Sequence, residues 1–289
     1  MKTTSPLFKA VSAVFLALAV AGMLAFALKG SSAKSAQEGL MRSDVRPSLP
    51  PSSRHQDAEE KPPVLVELFT SEGCSSCPPA DRVLAELARS QNEGGAEIIP
   101  LEEHVDYWNH LGWRDPFSSA QFSQRQSDYA RVFNHDGVYT PQMIVDGHSE
   151  FVGSNMATAR QEIARASGTK KVPIKLTIAP MGAKSYKLHV ETGRIVGTAP
   201  TSLWLAITED DLSSSVDAGE NSGSRLKHTA LVRKLEILRT GVKPDGQELT
   251  MDHELTADAG WNLNKLDFVV FLQSPRSLQV FGAARIRAN

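Results

Sequence analysis

The sequence predicts an α/β domain followed by a small all-β, sandwich-like domain, and three observations carry that expectation. The apolar run Val64-Leu65-Val66-Glu67-Leu68-Phe69 has strand length, and residues 80–90 then place Val83, Leu84, Leu87 and Ala88 at helical spacing. That is the order of a strand buried on both faces and running into a helix. After Lys170-Lys171 the pattern changes to alternation over residues 172–178, 186–190, 203–207, 248–255 and 268–272, with Gly- or Asp-rich turns between. Strands at this spacing predict a sandwich. A chain of 289 residues, 41% of them hydrophobic, is long enough for two such cores.

Composition narrows the function classes. Lys and Arg number 31 against 33 Asp and Glu, a formal charge of -2, so the basic footprint of a nucleic-acid-binding protein is absent. Two cysteines cannot build a disulfide scaffold or a four-thiolate zinc site, so they act as one pair.

At the N-terminus, Lys2 and Lys9 precede an uncharged apolar run over residues 11–28, followed by the small residues Gly30 to Ala33. This is the order of a signal peptide, and the run is also long enough for an uncleaved anchor. Residues 1–36 are therefore expected to be a signal peptide or membrane anchor, with the rest exported to a periplasmic or secreted location. Residues 37–63, rich in Ser, Pro, Gln, Glu and Arg, read as a disordered linker. Beyond them, residues 64–170 form the expected α/β domain and residues 171–289 the sandwich-like one.

Between strand and helix stands Cys74-Ser75-Ser76-Cys77-Pro78-Pro79. A thiol at a helix N-terminus faces unpaired N–H groups and the positive end of the dipole, which favour the thiolate. Cys74 is the expected attacking thiol and Cys77 the resolving one. As a staple so short a loop stabilises by only about 2 kcal/mol, so redox use explains the pair better. Glu67 interrupts an apolar strand, where a buried carboxyl would have a raised pKa and could exchange a proton with Cys77.

A second strand is expected at residues 96–101 and a helix at 118–133. Between them lies an insertion rich in aromatics and histidine, from which His104, Asp106 and Trp108 are candidate walls of a substrate surface. Thr140-Pro141 opens a strand that ends at Asp146-Gly147; a hairpin partner follows at 149–152, and Ser154 is the expected cap of a helix over 155–167.

Cys74-Ser75-Ser76-Cys77-Pro78 after a buried strand, with Thr140-Pro141 opening a later one, resembles the thioredoxin superfamily. The resemblance implies a thioredoxin-like domain in which Thr140 and a cis Pro141 lie against the thiols and hold an extended substrate, and in which Glu67 is the buried acid. Glu67 stands one residue further from the first cysteine than in thioredoxin. The segments 67–81 and His104-Val105-Asp106-Tyr107-Trp108 resemble, more closely, a family of secreted thioredoxin-like proteins of unknown function. Gln124-Arg125-Gln126 through Tyr129-Ala130, and Gly219-Glu220-Asn221 with His228, fit the same family.

The function expected from these features is that of an exported thiol–disulfide oxidoreductase acting on protein or peptide thiols and needing no organic cofactor. The competing expectation is a copper-binding metallochaperone or redox-regulated interaction module that uses the thiols with His104. No other metal ligands are assigned.

Overall fold

The computed structural model describes residues 61–90 and 95–288. The expected signal peptide or anchor, and all but the last three residues of the expected linker, lie outside them. Among the described residues no helix is long and apolar enough to cross a membrane.

Strand β1 (Pro63–Thr70) runs parallel to β2 (Glu97–His104), joined through helix α1 (Pro78–Ser90). Helix α2 (Ala120–Val132) follows, capped by Ser119, whose hydroxyl accepts from the Gln121 N–H at 3.1 Å. Strands β3 (Gln142–Val145) and β4 (Ser149–Val152) form a hairpin, and β3 pairs antiparallel to β1. Helix α3 (Met156–Ser167) is capped by Asn155 rather than by the expected Ser154: the Asn155 side-chain Oδ1 accepts from the Thr158 N–H at 3.1 Å. Then come β5 (Ile174–Pro180), β6 (Ser185–Thr192), β7 (Thr201–Glu209), β8 (Leu212–Ser215), β9 (Arg225–His228), β10 (Leu231–Val242), β11 (Thr250–Thr256), β12 (Leu266–Gln273) and β13 (Val280–Arg287).

The strands form an eight-stranded mixed sheet in the order β13-β12-β7-β10-β2-β1-β3-β4, a three-stranded sheet β11-β6-β5, and the hairpin β8-β9. Alternation along β1 sorts its side chains between two cores. Val64, Val66 and Leu68 pack with Leu84 and Leu87 of α1 and Ile163 of α3. Leu65 turns the other way, to Ile99, Leu101, Phe122 of α2, and Val269 and Phe271 of β12. A third core lies between the three-stranded sheet and β7 and β12, where Tyr186, Leu188 and Val190 meet Leu205, Phe268 and Val270.

The expected thioredoxin-like α/β domain with a helical insertion, followed by a separate sandwich, is not what forms. The described residues are mostly β, with thirteen strands and three helices, and strands from before and after residue 170 share one sheet. The reason lies at β2, which pairs with β1 along one edge and exposes a second row of backbone groups along the other. That second edge is met by β10: the Glu102 N–H donates to the Ala230 carbonyl at 3.0 Å, and Leu231 stands opposite Glu102. One core also crosses the expected boundary, combining Leu65 and Ile99 with Val232 and Val269.

Candidate functional site

Cys74 and Cys77 form a disulfide in the loop between β1 and α1, with their Cα atoms 5.4 Å apart. Cys77 stands immediately before Pro78, and its carbonyl accepts from the Ala80 and Asp81 N–H groups, so the pair caps α1. Both cysteines have no solvent exposure, whereas Ser75 and Ser76 between them are exposed. The Thr140–Pro141 peptide bond is cis, and the Thr140 carbonyl faces the pair, 3.9 Å from Sγ of Cys74 and 3.5 Å from the Ser76 hydroxyl. Trp108 completes this group: its indole N–H donates to the Thr140 hydroxyl at 2.8 Å, and its Cβ lies 3.2 Å from where a side chain on Gly73 would begin.

The cysteine loop is held by residues distant in sequence. The Asn221 side-chain amide donates to the carbonyls of Glu72 and Cys74 at 2.8 and 2.9 Å. The Glu220 carboxylate accepts from the Ser75 N–H at 2.9 Å. The Glu72 carboxylate, 1% exposed, accepts from the Trp113 indole at 2.8 Å and from the Ser214 hydroxyl, and its N–H donates to Asp115.

Behind the loop is a buried chain of alternating carboxylates and imidazoles. Asp115 Oδ2 lies 2.6 Å from His104 Nδ1, and His104 Nε2 lies 3.1 Å from Glu102 Oε1. The same Glu102 oxygen lies 2.9 Å from His228 Nδ1, and His228 Nε2 lies 2.9 Å from Glu72 Oε1. Burial acts to lower the pKa of both imidazoles, but the carboxylates outweigh it. His104 is raised well above its ordinary value by Asp115 and then Glu102, and His228 is pushed up to about 9 by Glu102 and Glu72. Burial acts to raise Glu102, yet the two histidine hydrogen bonds hold it at about 2. Asp81, in the first turn of α1, is pushed up to about 7 by burial and the charge of Glu102. Glu102, His104 and His228 also present three metal-ligating atoms within 4.8 Å of one another. Among the described residues no such cluster includes either cysteine.

The opposite face of the sheet carries a second polar group. Glu67 accepts from Arg125 Nε at 2.6 Å and from the Tyr129 hydroxyl at 2.5 Å, both on α2. Arg125 also donates to Gln273 of β12 at 3.1 Å, and its guanidinium lies over the rings of Tyr129, Trp204 and Phe271. Glu103 is fully buried beside this pair without a hydrogen bond to its carboxyl oxygens. Burial and then the Glu67 charge push its pKa well up.

Of the residues singled out in the sequence, then, Cys74, Cys77, Thr140, Pro141 and Trp108 come together. His104 reaches the cysteine loop only through Asp115 and through Glu102, His228 and Glu72. Asp106 accepts from the Ser123 hydroxyl at 2.5 Å, and Glu67 is engaged by α2. Glu102 and Asp115 are not among the residues singled out in the sequence, and no pattern in it joins Glu72, Glu220 and Asn221 into a clamp. For Glu220, Asn221, His228, Arg125 and Tyr129 the signal was their place in the resemblance to secreted proteins of unknown function.

Residues 65–273 match the model of a family described as protein of unknown function (DUF1223). The chain belongs to this family. The match runs from β1 through β12, so the DUF1223 region contains both cysteines, the loop at 219–221 and His228. Among solved structures, protein AGR_C_4864 from Agrobacterium tumefaciens is similar at 26% identity and a TM-score of 0.62, over 80% of this chain and 97% of that one. HBP35 of Porphyromonas gingivalis is similar in fold at 15% identity and a TM-score of 0.57, over 78% and 75% of the two chains. No curated protein matches the chain.

Proposed function

We propose that this protein is an exported thiol–disulfide exchange protein in which the Cys74–Cys77 disulfide passes oxidising equivalents to, or receives them from, protein or peptide thiols. The observation that carries this reading is the position of the disulfide at the N-terminal end of α1, with the Thr140 carbonyl and Trp108 beside Cys74. A thiolate released there is stabilised by the positive end of the helix dipole. The charged-then-apolar order of residues 2–28 supports a location outside the cytoplasm, where a disulfide persists.

In the oxidising direction, a partner thiolate attacks Sγ of Cys74. A partner–Cys74 disulfide forms, the Cys74–Cys77 bond breaks, and Cys77 leaves as a thiolate. A second partner thiolate then attacks the partner's sulfur and releases Cys74. The partner has lost two electrons and the cysteine pair has gained them, with two protons taken from water. Because the disulfide is buried, attack requires the clamp formed by Asn221 and Glu220 to open.

The test is trapping. Cys77→Ser should accumulate a mixed disulfide with a cysteine peptide at Cys74, read by mass spectrometry, and Cys74→Ser should not. A wild-type disulfide that resists excess dithiothreitol in the folded protein, or a Cys77→Ser variant that traps nothing, would sink the proposal.

A further inference from the structure

We infer that Glu102, His104 and His228 form a buried site for one divalent transition-metal ion, best suited to zinc, that ties β2 to β9 behind the cysteine loop. The inference is independent of the redox reading, since it uses neither sulfur.

Three features of the geometry carry it. First, the donors converge: the imidazole nitrogens lie 3.1 and 2.9 Å from a single Glu102 oxygen, and all three ligand atoms fall within 4.8 Å of one another. Ligands that share a tetrahedral zinc at 2.0–2.1 Å are separated by about 3.3 Å, which both nitrogen–oxygen pairs already approach, while ligand atoms as far apart as 4.8 Å must draw together for the ion to enter. Second, the outer nitrogen of each imidazole is already on a carboxylate, His104 Nδ1 on Asp115 at 2.6 Å and His228 Nε2 on Glu72 at 2.9 Å. A carboxylate behind each ligand histidine fixes the ring and turns its other lone pair toward the metal. Third, the pocket is shielded: Glu102 and His104 are each 1% exposed, and the Phe117 ring lies 5.8 Å from His104 and 5.2 Å from His228. In a dry site with two neutral nitrogens and a carboxylate, zinc is a better match than calcium or magnesium, which take oxygen donors.

The ion would complete three of zinc's four positions with protein atoms. Through Glu72 and Asp115 it would also stiffen the loop that holds the cysteines.

The experiment uses the purified full chain, stripped with a chelator, loaded with zinc chloride and passed through a desalting column. About one zinc per chain is expected, and X-ray absorption should show two imidazoles with nitrogen and oxygen scatterers only. The Cys74→Ser/Cys77→Ser variant and His189→Ala, which removes an exposed histidine held by Asp252 and Glu191, should retain the ion. His228→Gln should lose it, and Asp115→Asn should bind 10- to 100-fold more weakly. No retained zinc in the wild type, sulfur in its coordination shell, or loss of zinc from the cysteine or His189 variant would overturn the site. If His228→Gln does not fold, the wild-type histidine count and the Asp115→Asn affinity decide.

Discussion

Asn221 ties the cysteine loop to a distant part of the chain, because one side-chain amide spans the carbonyls of Glu72 and Cys74. Two neutral hydrogen bonds contribute on the order of 2 kcal/mol, and 1.4 kcal/mol is tenfold in an equilibrium. Asn221→Ala should therefore speed reduction of the disulfide by a phosphine roughly 30-fold, read as the rate of thiol appearance. A different residue carries a pH-dependent prediction. Asp146 is 3% exposed, accepts from the Leu65 N–H at 2.9 Å and pairs with Lys171; burial raises its pKa despite the lysine. Lys171→Met leaves that carboxylate buried and unpaired, at a cost of about 3 kcal/mol at neutral pH. The sign follows from the raised folded pKa: the native state then holds a proton that the unfolded chain has released. The deficit of the variant is full above the folded pKa, shrinks as the pH falls through it, and vanishes below the ordinary carboxylate value. Urea titrations at pH 7.5, 5 and 3.5 check this, and a deficit that stayed constant would refute it.

At the scale of elements, the β3–β4 turn shows how a tight hairpin with a three-residue loop, 146–148, is welded to a distant strand. Asp146 and Gly147 both have positive φ, at 51° and 61°, as this tight turn requires. The Asp146 carbonyl accepts from the Val280 N–H at 2.8 Å, and a Cβ on Gly147 would stand 1.9 Å from the Leu278 carbonyl oxygen. Gly147→Ala combines left-handed strain with that collision and should lower stability by more than about 2 kcal/mol, measured by urea unfolding. An unchanged midpoint would mean that β13 does not bear on the turn. The hairpin itself was legible from its Asp-Gly turn. Strand β10, the longest at 12 residues, was not. Its pairing with β7 shifts register between Val232 and Lys234 and between Ile237 and Arg239, so buried and exposed positions lose the period of two by which strands are recognised. The second strand was expected to end at residue 101 but continues to His104. That difference puts Glu102 and His104 on one face of β2 and Glu103 on the other, which is why His104 belongs to a buried chain and not to a substrate wall.

For the molecule as a whole, the shared sheet and the core that joins Leu65 to Val269 bind the parts before and after residue 170 into one folding unit. Tryptophans report on both: Trp108 and Trp113 lie beside the cysteine loop, and Trp204 and Trp261 belong to the cores around β7 and β12. A Trp108→Phe/Trp113→Phe variant and a Trp204→Phe/Trp261→Phe variant should each unfold in urea with one midpoint for fluorescence and circular dichroism. Separate fluorescence and circular dichroism midpoints within either variant would show independent domains. Much of this architecture is visible locally, since most strands after residue 170 alternate and α1, α2 and α3 have helical spacing and polar or proline caps. The sequence by itself determined where the thiols stand, between a buried strand and a helix start, and that Thr140-Pro141 opens a later strand, because those are relations between neighbours and between types of residue. Only the tertiary structure decided that β10 closes the free edge of β2, that Asn221 and Glu220 bond the backbone of the cysteine loop, and that His228 meets His104 across Glu102. Those partners are separated by more than a hundred residues along the chain. Backbone hydrogen-bond edges, and charges that need burial to matter, leave no periodic trace in a sequence.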